Sequence, residues 1–182
     1  MKLRPIALAA VTIAYPFIVY FILQHHGARA LAIPLCVIAL LRFAIGRERV
    51  WAVVVLVTVA LAAATIVWDV SAPAKLYPVA VNLGLLAVFA HSLTHPPSVA
   101  ERIARVREPD LPPQAVTYTR RVTQVWCVYF VVNAAIAGTL AVAASDRAWT
   151  LYSGGIAYAA AGVLFAGEFL VRQQVRRKWG HA

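Results

Sequence analysis

Apolar residues run along this chain in long blocks, separated by short interruptions that are rich in basic residues. Crossing the ~30 Å hydrocarbon core of a bilayer takes about 20 mostly apolar helical residues. Six blocks approach or reach that length: 5–23, 30–45, 50–68, 76–94, 122–144 and 150–171. The second is the shortest, holds Arg42 and is interrupted by Pro34, so a re-entrant or interfacial segment is its alternative reading. The pattern predicts an all-α polytopic membrane protein. It forms one transmembrane domain of about six helices over residues 1–182, with a single long loop at 95–121.

Composition agrees and narrows the class. The chain is 62% hydrophobic and 13% charged, where soluble proteins average roughly 45–50% and about 25%. A secreted disulfide scaffold, a disordered chain and a water-soluble enzyme are excluded on that ground. The net charge of +10 is resolved by its placement. With six spans and the N-terminus inside, 14 of the 17 Lys and Arg residues fall on the inner side, leaving Arg29, Lys75 and Arg147 outside. This positive-inside bias predicts that both termini are cytoplasmic. No zinc finger, helix-turn-helix or aromatic-interleaved strand accompanies the charge, so nucleic acid is not an expected partner. The start, Met1–Arg4 followed by an apolar run, has the look of a signal peptide. The run is too long and lacks a clean small-residue cleavage site, so it reads as a retained first helix. Trp51, Trp68, Trp126, Trp149 and Trp179 fall at or just beyond predicted span ends, where a ring suits the headgroup level. Cys36 and Cys127 lie within spans and read as buried small residues rather than a redox pair or zinc ligands.

The long loop has its own punctuation. Ser98 followed by Glu101 forms a capping-box pattern, predicting a helix over 99–108 that Pro109 stops. Val99, Ile103 and Val106 share one face with Arg102 and Arg105 beside it, a short basic amphipathic helix suited to the membrane surface. Pro109-Asp110-Leu111-Pro112-Pro113 then predicts a stiff extended segment. The loop reads either as a connector between the two halves, the plainer choice, or as a docking site for a cytoplasmic partner. Anionic headgroups add about 1 kcal/mol per nearby basic side chain. Arg102, Arg105, Arg107, Arg120 and Arg121, with Arg176, Arg177 and Lys178 of the tail, are therefore the candidate lipid or partner surface. Three spans on each side of the loop also permit inverted-topology repeats, although residue-level similarity between the halves is not visible.

Polar groups inside spans are the candidate bundle site: Glu168, His91, Asn133, Asn82 and Arg172. Glu168 is one helical turn from Arg172 and within reach of Arg42, Arg120 or Arg121, so an ion pair competes with a proton or substrate role. His91 and His95 share a face at metal-ligand spacing, but no local motif completes a metal set. His25-His26 reads the same way. Asn82 and Asn133 suit bonding between helices. Small residues at four-residue spacing, Ala134 with Gly138, Gly155 with Ala159 and Gly162 with Ala166, predict a tight hairpin of the last two spans. Pro16 and Pro34 predict bends or freed carbonyls, which Tyr15 or Tyr20 can satisfy unless those rings line a cavity. No cofactor and no metal are called for, and paired carboxylates or a serine motif that would mark an enzyme are lacking in the sequence.

Taken together, Pro96-Pro97-Ser98, Glu101-Arg102, Ala104-Arg105, Glu108-Pro109-Asp110-Leu111-Pro112, Tyr118-Thr119-Arg120, Val125-Trp126, Asn133, Trp149, Leu151-Tyr152 and Gly167-Glu168 resemble a family of uncharacterised bacterial inner-membrane proteins. Its members are often encoded beside ketosynthases, acyl carrier proteins and acyltransferases of aryl-polyene or fatty-acid-like pathways. A weaker likeness is to the inner-membrane septation protein family. The resemblance covers mainly the C-terminal half and supplies no catalytic residues. It implies a non-enzymatic accessory or scaffold in envelope lipid or polyene biosynthesis, contacting anionic lipid and biosynthetic proteins at the inner face. The competing expectation is a small lipid or small-molecule transporter using the polar bundle residues.

Overall fold

A computed structural model describes the backbone of residues 3–45, 49–68 and 70–179, and the side chains of 14–40, 52–53, 55–68 and 70–175. The side chains of Arg42, Trp51, Arg176, Arg177, Lys178 and Trp179 lie outside the described residues. Within them every regular element is helical. These are α1 (Leu3–His25), a 3₁₀ turn (Ala28–Leu31), α2 (Ala32–Ile45), α3 (Arg49–Trp68), α4 (Ala72–Lys75), α5 (Tyr77–Thr94), α6 (Val99–Arg105), α7 (Pro113–Ala143), α8 (Asp146–Leu151), a π-helical segment (Tyr152–Ile156) and α9 (Ala157–Trp179).

Three stretches are long and apolar enough to cross a membrane: Ala72–Thr94, Pro113–Ala143 and Asp146–Val175. Ala28–Leu40 and Val55–Trp68 are shorter apolar helices among the described residues. At 1.5 Å per residue the 31-residue α7 runs about 46 Å, well beyond the ~30 Å hydrocarbon core. Its first turns therefore extend outside that core.

Local chemistry sets several boundaries. Gly27 has φ +80°, the left-handed region that glycine enters without a Cβ penalty, and it separates α1 from the 3₁₀ turn. Pro34 falls in the first turn of α2, where amides have no helical acceptor to lose, so it bends nothing. Pro112 and Pro113 open α7 at its N-terminus. The expected extended segment thus ends nine residues before the predicted span at 122, and Tyr118 to Arg121 are already helical. α6 ends at Arg105 rather than Glu108, because Arg107 N and Glu108 N both return to Ala104 O in a closing turn.

Packing runs α2 on α3, α3 on α5 and, most extensively, α5 on α7, while α1 lies against α2, α8 and the π segment. α7 turns Trp126, Phe130, Asn133, Ala134, Ala137 and Ala141 inward, a 3.6-residue periodicity. At Gly138 an added Cβ would sit 3.7 Å from Val79 of α5, so the small residues bring these two backbones together. The expected hairpin of α7 with α9 pairs antiparallel, but it is not packed tightly through the small residues. Ala159, Gly162 and Ala166 are exposed, and a Cβ at Gly155 or Gly162 would meet nothing within 4 Å. α9 meets α7 through separate points, including Tyr129 OH to Ala157 O at 2.8 Å and the Trp126 and Phe165 rings, 4.5 Å between centroids. Small spacing permits close approach on either neighbour, and here α5 takes the α7 face.

Three further expectations are corrected. Trp149 is fully buried in a cluster with Tyr15, Leu31, Leu35 and Tyr77, and Trp126 is buried too, so neither ring lies at a headgroup surface. Cys36 is exposed and Cys127 half-buried, because an outward helix face suits a small apolar thiol where lipid is the neighbour. Tyr15 OH does not serve a carbonyl freed by Pro16 but donates to Ala74 O at 2.6 Å, tying α1 to α4.

Candidate functional site

The polar residues singled out from the sequence separate into three settings. The first is a buried chain of side chains between helices. Asn133 Nδ2 of α7 donates to Asn82 Oδ1 of α5 at 3.0 Å, Asn82 Nδ2 donates to Pro78 O at 2.8 Å, and Tyr152 OH donates to Asn133 Oδ1 at 2.9 Å. Both asparagines are buried, so their bonds replace water that the site cannot supply. The expected bonding of the asparagines between helices is observed, and Tyr152 is a third member that spacing alone did not reveal.

This chain borders a partly open cavity of about 220 Å³ between α5, α7, the π segment and α9, with Pro16 of α1 in its wall. Tyr77, Trp126, Tyr129, Phe130, Tyr152 and Tyr158 bring six aromatic rings to its lining. Ser153 also lines it. The π segment is what places Tyr152 and Ser153: its wider turn re-aims side chains, as such bulges do at functional sites. Gly154 within it lets α1 approach, since a Cβ there would fall 2.8 Å from the Phe17 ring.

The second setting is at the other end of α7. Arg172 closes on Glu168 through two bonds, Nε to Oε1 at 2.8 Å and Nη2 to Oε2 at 2.7 Å. Tyr118 OH reaches Glu168 as well, 3.4 Å from Oε1. The ion pair is therefore local, and Arg120 goes elsewhere: its Nη1 donates to Leu93 O at 2.8 Å. A cation on the last carbonyls of α5 suits the negative end of that helix.

Here the chain 95–112 forms an elbow stitched to both helices. All four leading amides of α6 find acceptors: Val99 N on Ser92 Oγ (3.1 Å), Ala100 N on Thr123 Oγ1 (3.3 Å), Glu101 N on Ser98 Oγ (3.4 Å) and Arg102 N on Ser98 O (2.9 Å). Only the serine half of the capping box forms. Glu101 Oε1 instead takes Arg105 Nε and Nη2 at 2.9 and 2.8 Å, because an i,i+4 guanidinium offers two donors and a full opposite charge where a backbone amide offers one neutral donor. Arg102 Nε reaches Pro97 O and Arg105 Nη1 reaches Pro109 O. Three of the candidate surface arginines thus brace the protein itself, Arg102, Arg105 and Arg120, as does Arg172 of the candidate bundle site. Arg107 and Arg121 are exposed. Ile103 and Val106, 63% and 84% exposed, turn their apolar side chains outward beside them. An open cavity of about 660 Å³ lies under the elbow, walled by Ile103, Val106, Leu111, Tyr118, Arg107 and Arg172 among others. Around this end six described arginines face four carboxylates, Glu101, Glu108, Asp110 and Glu168, so the local excess of positive charge is small.

The third setting is His91 with His95, stacked with centroids 4.1 Å apart and both exposed. Among the described residues no three His, Cys, Asp or Glu side chains gather where a metal ion could be held. Neither Glu168, His91 nor Arg172 stands in the wall of the cavity that Asn82 and Asn133 line. An unforeseen ion pair joins Lys75, 4% exposed, to Asp146 at the start of α8; span counting had placed Lys75 in a loop.

Fold and site define an all-helical protein with membrane-length helices, a hydroxyl- and amide-bearing cavity inside and a braced amphipathic elbow at one end. No family model matches the chain, and neither a curated protein nor a solved structure matches it significantly.

Proposed function

We propose that the chain is a multi-pass bacterial inner-membrane protein of six spans with both termini cytoplasmic, acting as a non-enzymatic accessory in envelope lipid or polyene biosynthesis. The elbow is the observation that carries this reading. The leading amides of α6 and the carbonyls of Pro97 and Pro109 are satisfied within the protein, while Ile103 and Val106 remain outward beside Arg107. A rigid surface that keeps apolar and cationic groups together is built to lie on a membrane or to seat a partner. The 14-to-3 distribution of basic residues assigns that surface to the cytoplasmic leaflet, and the resemblance of residues 96–168 supplies the biosynthetic setting. Transport along a path through Glu168, His91 and Asn133 is the weaker reading, since these residues occupy three separate settings.

The test is a photo-crosslinking residue at Val106 in living cells. Crosslinks to an enzyme or carrier protein of acyl-chain assembly are expected, and Ile103→Glu should remove them. Crosslinks to lipid alone would refute the accessory role, and labelling of a Val106→Cys variant from the periplasmic side would refute the topology.

A further inference from the structure

We infer that the 220 Å³ cavity between α5, α7 and the π segment is a binding site for a neutral oxygenated ring, a quinone or phenol head, whose tail leaves through the open side. The inference concerns a different site from the elbow and does not depend on the accessory role.

Three observations define the ligand. First, the wall holds no Asp, Glu, Lys, Arg or His; a charged ligand would enter unpaired and meet a desolvation cost of several kcal/mol, so the ligand is neutral. Second, the amides are already engaged. Asn82 and Asn133 are bonded to each other, to Pro78 O and to Tyr152 OH. Among the wall's remaining polar atoms are two hydroxyls: Tyr77 OH and Ser153 Oγ are buried without a hydrogen-bond partner among the described residues, in residues 1% and 6% exposed. Natural proteins seldom leave such groups unmatched, because each costs about 1–3 kcal/mol. Both hydroxyls belong to residues of the cavity wall and, once turned toward a ligand, can donate to a carbonyl or accept from a hydroxyl, so a ligand that carries oxygen fits them. Third, size and shape select a ring. A dry cavity of about 150 Å³ already binds benzene, and this one adds room for small substituents. Aromatic walls such as Trp126 and Tyr152 favour a flat partner through offset or edge contacts.

The full chain in nanodiscs, titrated with ubiquinone-1 by calorimetry, tests this. Saturable uptake of one molecule per chain, above that of protein-free nanodiscs, is expected. Tyr77→Phe with Ser153→Ala removes both hydroxyls with little change of shape and should weaken ubiquinone-1 by about tenfold or more, two hydrogen bonds' worth. Binding of toluene, which needs no hydroxyl, should stay within about twofold. Ala161→Phe, which places a ring in the cavity wall, should abolish uptake of both. Should that variant fail to fold, the double hydroxyl variant decides alone, its melting curve serving as the check on folding. Uptake equal to protein-free discs, or a double variant that binds ubiquinone-1 as tightly as the wild type, overturns the assignment.

Discussion

Replacing Asn133 by Val moves the branch from Cγ to Cβ but roughly keeps the volume of the side chain, while deleting both of its polar contacts. Asn82 Oδ1 then loses its donor and Tyr152 OH loses its acceptor, and the site is buried. An orphaned buried group costs about 1–3 kcal/mol, but interhelical hydrogen bonds in membrane proteins average about 0.6 and reach about 1.7 kcal/mol. With two groups stranded, Asn133→Val should cost about 2 kcal/mol. Asn82→Val strands only Asn133 Nδ2, since Pro78 O is a backbone acceptor at the start of α5, and should cost about 1 kcal/mol. In the double variant neither amide remains to be stranded and only Tyr152 OH loses its partner, so the two costs should fall short of adding by about 2 kcal/mol. Reversible unfolding in mixed micelles of increasing SDS content measures all three. Additivity within about 0.3 kcal/mol would show that the asparagine bond contributes nothing to the α5–α7 pairing, and the account of that interface would have to rest on the small residues alone.

Asp146→Asn leaves Lys75 buried beside a neutral partner and should destabilise by about 3 kcal/mol, the low end for a broken buried pair because Asp146 is half-exposed; Lys75→Met with Asp146→Leu should recover most of that in the same unfolding assay. Ser98→Ala removes the acceptor for Glu101 N and should cost about 1 kcal/mol, seen as faster tryptic cleavage after Arg102, Arg105 and Arg107 in spheroplast-derived inverted vesicles, with cleavage unchanged from wild type as the contrary result. Glu168→Gln keeps a hydrogen-bond acceptor for Arg172 and Tyr118 but loses the charge pair; since the Arg172 side chain is 41% exposed, the cost should be below about 1 kcal/mol. Normal insertion and unchanged ubiquinone-1 uptake should accompany it, while loss of membrane-inserted protein would give Glu168 a larger structural role.

Helices were legible in this chain because lipid exposure makes the signal additive. Each block of about 20 apolar residues declares a helix regardless of what it packs on, and elements α1, α5, α7 and α9 overlie such blocks. Partners were less legible for the same reason. Gly138 and Gly162 carry the same small-residue spacing, yet one lies 3.7 Å from Val79 and the other meets no neighbour. Spacing records what a backbone permits, whereas the choice of neighbour depends on the whole bundle. Proline was misread twice on one ground: Pro34 and Pro113 sit in first turns, where a missing N–H costs nothing, and their effect on a helix depends on a boundary that the apolar run does not mark.

The cavity was the least visible feature, and the reason lies in the π segment. Tyr77, Ser153 and Tyr152 are ordinary residues near predicted span ends, and an α-helical register through 150–171 would rotate Tyr152 and Ser153 relative to where five π-helical residues place them. Asn82 and Asn133 could be matched in advance because two amides in two spans satisfy each other. A phenol and a serine without a protein partner have no such signature; they become informative only when burial shows them shut off from bulk solvent with no protein group answering them. The bonded and the unbonded polar groups of this bundle therefore have separate uses. The asparagine pair with Tyr152 fixes the distance between α5, α7 and the π segment, and that fixed distance holds open the space which the two unanswered hydroxyls equip for a ligand.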